Sequence, residues 1–247
     1  LVNVTNRAAY DNQPFFTPDG QALLYTAYQD TQTDIYRADL GGAQIAFRPM
    51  TRTPESEYSP TPLPGGGFST VRVEADGTQR LWRFDADGAA SLVLDAVAPV
   101  GYHAWADDHT VALFVLGDPP TLQLADTRTG RADTLARNIG RSLHRVPGSQ
   151  RISFVQKGGA AWTIRTLDPA TGALETVTET LPEREDYAWT PDGRLLMADG
   201  AVLYEWTPES EGWRVLVDFT AAGITNLTRL AVSPDGTRLA LVADRPQ

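Results

Sequence analysis

The sequence predicts an all-β fold, a six-bladed β-propeller of four-stranded antiparallel blades, and three observations point to it. A degenerate unit of about 43 residues recurs along the 247-residue chain, each copy marked by a tight turn. Within a unit, short apolar–polar segments follow one another at about 8–12-residue spacing between Gly, Pro and Asp turn residues. No segment sustains a helical period.

The clear turns are Thr17-Pro18-Asp19-Gly20, Thr190-Pro191-Asp192-Gly193 and Ser233-Pro234-Asp235-Gly236. Weaker copies are Leu63-Pro64-Gly65-Gly66, Ala106-Asp107-Asp108-His109 and Val146-Pro147-Gly148-Ser149. Their fourth residues fall at 20, 66, 109, 149, 193 and 236, in steps of 46, 43, 40, 44 and 43. Proline presets φ, aspartate bonds the backbone ahead of it, and glycine accepts positive φ.

In the first unit a strand enters the turn at Gln13–Thr17, a second leaves it at 22–27, a third alternates over Asp34–Leu40, and a ragged fourth spans Ile45–Thr51. The other second strands are read at 68–74, 110–116, 151–157, 194–198 and 238–243. Third strands follow at 80–84, 121–126, 162–167 and 202–206, and fourth strands at 91–95, 133–137, 174–178 and 213–218. The blades are expected at 10–51, 57–96, 101–137, 141–179, 185–219 and 227–247, the last joined by 1–6, in one domain over 1–247.

Val2–Thr5 precedes its turn by the distance that separates Arg48–Thr51 from Gly66, so it reads as a fourth strand closing the ring in the last blade. That blade is expected to lack its third strand, because six such units ask for slightly more chain than 247 residues. Truncation and replacement by a shifted N-terminal strand both stay open.

Composition excludes several classes. The net charge of −10 and the absence of a basic stripe argue against nucleic acid and anionic membranes as partners. The absence of cysteine removes disulfides, thiolate metal sites and cysteine nucleophiles. No apolar run approaches the ~18 residues of a membrane helix, and the chain opens on Leu1-Val2-Asn3-Val4-Thr5 without a signal-peptide pattern.

The run Phe16-Thr17-Pro18-Asp19-Gly20-Gln21-Ala22-Leu23-Leu24-Tyr25-Thr26-Ala27, followed by Asp34–Leu40, resembles the repeat of TolB-like, WD-repeat-like β-propellers. Trp189-Thr190-Pro191-Asp192-Gly193-Arg194-Leu195-Leu196 and the segment 232–245 are similar. The resemblance covers the whole chain as a period, with degraded turns in blades two to four. Similar repeats occur in propeller domains of prolyl-oligopeptidase-type peptidases, whose hydrolase domain carries a Gly-x-Ser-x-Gly elbow that this sequence lacks. The resemblance implies a bacterial, periplasmic or exported, monomeric binding module with no cofactor. TolB's own N-terminal domain has no counterpart in this sequence, so the likeness is to the repeat family.

Candidate site residues follow from the turns. Seven residues before each fourth turn position stand Gln13, Ser59, Tyr102, Ser142, Asp186 and Arg229, a polar column expected to line the central channel. Asp186 and Arg229, in adjacent blades, are placed to form a salt bridge. Four residues before the same position stand Phe16, Pro62, Trp105, Arg145, Trp189 and Val232, read as inter-blade packing. Rim candidates for a protein or peptide partner are Asp11, Glu55, Glu57, Tyr58, Arg141, Glu185 and Tyr187. His103 and His144 lie on neighbouring first strands at registers that point them apart, which argues against a metal site, and His109 belongs to a turn. No catalytic constellation stands out, so a non-catalytic protein- or peptide-binding scaffold is expected. The alternative is a hydrolase, lyase or sugar-binding protein with Tyr102, His103, Asp186 and Arg229 at the channel mouth.

Overall fold

In a computed structural model the described residues, 1–63 and 65–244, form five four-stranded antiparallel sheets and one of two strands. Blade 1 is β1 (Asp11–Phe16), β2 (Ala22–Gln29), β3 (Gln32–Asp39) and β4 (Ala46–Pro49). Blade 2 is β5 (Ser56–Pro62), β6 (Phe68–Val73), β7 (Gln79–Phe84) and β8 (Ala90–Leu92). Blade 3 is β9 (Val100–Trp105), β10 (Thr110–Val115), β11 (Thr121–Asp126) and β12 (Arg131–Arg137). Blade 4 is β13 (Ile139–Arg145), β14 (Ile152–Gln156), β15 (Thr163–Leu167) and β16 (Leu174–Glu179). Blade 5 is β17 (Tyr187–Trp189), β18 (Leu195–Asp199), β19 (Val202–Trp206) and β20 (Arg214–Asp218), and blade 6 is β21 (Asn226–Val232) with β22 (Leu239–Asp244).

Every sheet is a meander with strands paired in chain order. Each inner strand packs beside the next, and β21 packs against both β17 and β1, so the ring closes. The turn residue Pro64 and the last three residues assigned to blade 6, 245–247, lie outside the described residues.

The N-terminal strand is a correction. Residues 1–10 contain no strand, and Leu1 and Val2 are exposed. Asn3 Oδ1 accepts a hydrogen bond from the Asn6 backbone N–H at 3.1 Å, and Asn6 takes φ +46°. Such local side-chain bonds compete with a strand ladder for the backbone. Val4 still packs against the cluster that holds Ala231 and Ala240, so the segment covers the last seam without pairing into it.

The core is divided among the seams between blades. One cluster joins blades 1 and 2 through Leu24, Ile35, Phe68 and Phe84. The next four join blades 2 and 3, 3 and 4, 4 and 5, and 5 and 6. The sixth joins blades 6 and 1.

Two seams also carry a serine-centred hydrogen-bond network. The strand-two position opposite the fifth residue before the turn anchor is Leu24, Ser69, Ala112, Ser153, Leu196 and Ala240 in blades 1 to 6. Where it is serine, the next blade supplies a tryptophan. Trp105 Nε1 donates to Ser69 Oγ at 2.9 Å, and Trp189 Nε1 donates to Ser153 Oγ at 2.8 Å. A second group joins each serine: His103 Nε2 lies 2.7 Å from Ser69 Oγ, and the Tyr187 hydroxyl donates to Ser153 Oγ at 2.8 Å. Each serine hydroxyl in turn donates to an inner-strand carbonyl of its own blade, Thr61 or His144. By this pattern His103 donates through Nε2.

The three intact Pro-Asp-Gly turns belong to blades 5, 6 and 1, which are consecutive around the ring. Thr17, Thr190 and Ser233 each donate a hydroxyl hydrogen bond to the turn aspartate, at 2.6, 2.5 and 2.5 Å. Those bonds hold the Asp19, Asp192 and Asp235 carboxyls below the usual range. The turn glycines take positive φ, and the open side of Gly236 faces Pro191 while that of Gly20 faces Pro234. Each proline ring thus seats on the glycine of the following blade.

Replacing Ser153 by Ala strands the Tyr187 hydroxyl and the Trp189 indole N–H in a dry seam. A loss of about 2 kcal/mol in unfolding free energy is expected by urea denaturation. Adding Tyr187→Phe to Ser153→Ala should cost less than the two changes made separately, because both touch one network.

Candidate functional site in the central channel

The six inner strands leave the axis unfilled. A cavity of about 90 Å³ lies there, and its wall includes Gln13, Ser59, Tyr102, Ser142, Asp186 and Arg229. All six residues of the sequence-derived column therefore meet around one space. Bulges in the inner strands place them there: the pairing slips between Asn12 and Phe15, Tyr58 and Thr61, Ile139 and Leu143, and Leu227 and Arg229. In β9 the slip falls at Gly101, against the Phe114 ring. Gln13 and Ser59 sit in the bulges at φ +53° and +55°, a region that costs a side-chain-bearing residue energy unless its neighbours hold it there. Gln13 Oε1 does so by accepting from Thr26 Oγ1 at 2.7 Å and from the Ser59 N–H at 2.9 Å.

The charged wall comes from blades 4, 5 and 6. Asp186 accepts from Ser142 Oγ at 3.0 Å, from Arg141 Nη2 at 2.7 Å and from Arg229 Nη1. The expected Asp186–Arg229 pair is present, and Arg141 joins it as a third member. Arg229 also donates through Nη2 to the Tyr102 hydroxyl at 2.9 Å, with its guanidinium over the Tyr102 ring. Behind this wall Glu185 accepts from the Arg141 backbone N–H at 3.0 Å and pairs with Lys157 at 2.9 Å. Gly140 is needed here, since a Cβ would fall 2.8 Å from the Glu185 carboxylate and 3.0 Å from Val155 Cβ.

The rim candidates divide. Arg141 belongs to the cavity wall: the bulge in β13 lets two consecutive residues, Arg141 and Ser142, reach the axis. Glu185 stands beside it, Asp11 is paired with Arg7, and Glu55 and Tyr58 are partly buried. Glu57 and Tyr187 are corrections. Glu57 is fully buried opposite Arg72 in the β5–β6 ladder, its Oε1 accepting from Arg72 Nε at 3.1 Å. The Arg72 guanidinium lies over the Trp82 ring at 4.2 Å, and burial pushes the Glu57 carboxyl up. Tyr187 is buried with its hydroxyl committed to Ser153. Both face a seam because strand alternation turns them from the rim.

Tyr10 joins the mouth without having stood out in the sequence. It is 44 % exposed, and burial pushes its phenol up, with Tyr102 and Tyr58 adding to the shift and Arg229 and Arg141 opposing it. It precedes β1 by one residue, so the turn spacing gave no register for it. Lys157 was equally silent, because its partner Glu185 lies 28 residues away in sequence.

The histidines point apart. His103 faces blade 2 through Ser69, and His144 stands edge-on to Tyr187 of blade 5 at 4.7 Å. Burial lowers the first imidazole to about 3 and the second to about 4, where Asp186 partly counters it. Both are neutral near pH 7. His109 is exposed in its turn. Among the described residues no group of three or more His, Asp or Glu side chains is placed to hold a metal ion, and no helix is long and apolar enough to cross a membrane.

A closed ring of meander blades around an axial cavity defines a β-propeller. Its fold is that of TolB-like propellers. A protein assigned as TolB from Agrobacterium tumefaciens superposes with a TM-score of 0.76 at 14% identity, over 96% of this chain and 91% of that one. A protein assigned as a gluconolactonase gives 0.68 at 14% identity, over 96% and 86%. TolB from Acinetobacter baumannii gives 0.62 at 15% identity, over 96% of this chain and 55% of the other. No family model matches the sequence, and no curated protein matches it.

The lowered His103 value sets a pH dependence. The folded protein disfavours the imidazolium while the unfolded chain takes a proton near 6.5, so the contribution is whole above about 6.5 and is lost as pH falls towards 3. Unfolding free energy should drop by about 2 kcal/mol between pH 7 and 5 from this group. His103→Gln should flatten that slope in denaturant titrations at several pH values, leaving the part due to His144.

Proposed function

We propose that the chain is a non-catalytic TolB-like propeller that binds a protein or peptide partner across its channel mouth, in the bacterial cell envelope. The observation that carries this reading is the makeup of the cavity wall, where Tyr102 stands with Arg141 and Arg229, and Tyr10, 44 % exposed, lies within electrostatic range of these three and of Tyr58. Tyrosine and arginine are the residues over-represented among binding hot spots, because each offers a broad planar body with donors at its end.

The groups that would serve catalysis are occupied. Asp186 is held by two guanidiniums and a hydroxyl, which suits a fixed counter-charge better than a proton carrier. Ser142 donates to Asp186 with no histidine in contact, and His103 is spent on the seam. The fold likeness to TolB favours an envelope protein, and the likeness to a gluconolactonase keeps a hydrolase or lyase as the rival reading.

Immobilised protein should retain a partner from a bacterial envelope extract, and Tyr10→Ala with Tyr58→Ala should reduce recovery at least about tenfold. Quantitative mass spectrometry of the bound fraction checks this. Equal recovery by both proteins would move the contact away from the mouth.

A further inference from the structure

Resting on the binding reading above, we infer that the axial cavity is a receptor for a single carboxylate group, held between Arg141 and Arg229. Three observations converge on it. First, the wall carries an excess of positive charge inside an acidic protein. Arg141, Arg229 and Lys157 face two carboxylates: Asp186 takes both arginines, and Glu185 takes Lys157 and, at 3.6 Å, Arg141. One positive charge is left over at the axis of a chain whose net charge is −10.

Second, donors remain free. Asp186 and the Tyr102 hydroxyl take Arg229 Nη1 and Nη2, and Asp186 takes Arg141 Nε and Nη2. The Arg141 side chain is 39% exposed. A planar guanidinium is a fork that matches a carboxylate with two parallel hydrogen bonds.

Third, the space suits a small group. About 90 Å³ of room for water holds a carboxylate with its adjoining carbon. The occupant is an end group: a chain terminus, an acidic side chain or a short organic acid, with the remainder of the molecule outside the cavity. One negative charge balances the one positive charge left over, which favours a carboxylate above a phosphate dianion.

Isothermal titration calorimetry on the whole protein tests this with N-acetylglycine, its neutral isostere N-acetylglycinamide, succinate and inorganic phosphate. N-acetylglycine should bind at least tenfold more tightly than the amide. Arg141→Gln should weaken it at least tenfold. Asp186→Asn, which removes the resident competitor, should tighten it severalfold, an effect that a purely structural ion-pair cluster would not give. Thermal melts of each variant confirm folding, and Arg141→Lys, which keeps charge without the fork, should bind between wild type and Arg141→Gln.

Preference for N-acetylglycine over succinate identifies a chain end as the source, and the reverse identifies a free organic acid. Equal binding of acid and amide, tighter binding of phosphate, no binding of either N-acetylglycine or succinate to wild type, or no response to Arg141→Gln overturns the proposal. The two readings fail separately. A partner lost with the tyrosine changes but retained by Arg141→Gln upholds the binding scaffold without the carboxylate site. Selective binding of succinate, with no partner dependent on Tyr10 and Tyr58, upholds the site without the scaffold.

Discussion

The structure depends on the seam between adjacent blades. A blade alone is a small twisted sheet with two apolar faces, and it becomes stable when both are covered by its neighbours. The described residues meet that demand with six separate clusters, one per seam. Two consequences follow. The ring has to close, because an uncovered face anywhere would expose one of those clusters. The axis is also left outside the core, since the inner strands spend their apolar residues sideways and direct the bulged ones inward.

Closure is hardest where the sheet is thinnest. Among the described residues blade 6 has two strands against four elsewhere, so its neighbours gain less from it by burial. The intact turn motif concentrates at this place. Pro191 seats on Gly236, Pro234 seats on Gly20, and Arg238 donates to the Gly20 carbonyl at 3.2 Å. The motif first stands out in the sequence as a loop signal, and in three dimensions it is also a contact between loops. Blades 2 to 4 have full sheets and tolerate degraded turns. Asp107, for example, accepts from the His109 and Thr110 backbone N–H groups without a Pro-Asp-Gly sequence.

Periodicity made the strand order, the unfinished last blade and the polar axial column legible, because a fixed distance from a turn fixes which way a side chain on a short strand points. The same logic explains what it missed. A bulge changes facing by one residue without changing composition, so Arg141 and Ser142 reach the axis together although alternation would separate them. Glu57 read as an acidic rim residue because a carboxylate is rarely placed in a seam. Its counter-ion Arg72 sits 15 residues away, and only the β5–β6 register brings the two together. Val2–Thr5 had the composition and spacing of a strand, and the local Asn3–Asn6 hydrogen bonds turned it aside. Each miss involves a bulge, a cross-strand partner or a local side-chain bond that the repeat does not specify.

At the axis, charge carries more information than shape. An ion pair there is only partly screened by water, so each guanidinium withdrawn from solvent costs free energy that its partner has to offset. One arginine would suffice to neutralise Asp186. The second leaves three cations, Arg141, Arg229 and Lys157, against two resident anions, Asp186 and Glu185, on a scaffold whose net charge is −10. The opposite wall repeats the pattern in neutral form, with Gln13 and Ser59 held in a costly backbone conformation and the Ser59 hydroxyl left unpaired. Seam packing accounts for none of these, because the clusters would be equally well covered with glycine and asparagine at the bulges. The free donors of Arg141 stand in the wall of one small space, which is the arrangement expected when the acceptor that completes them arrives from outside.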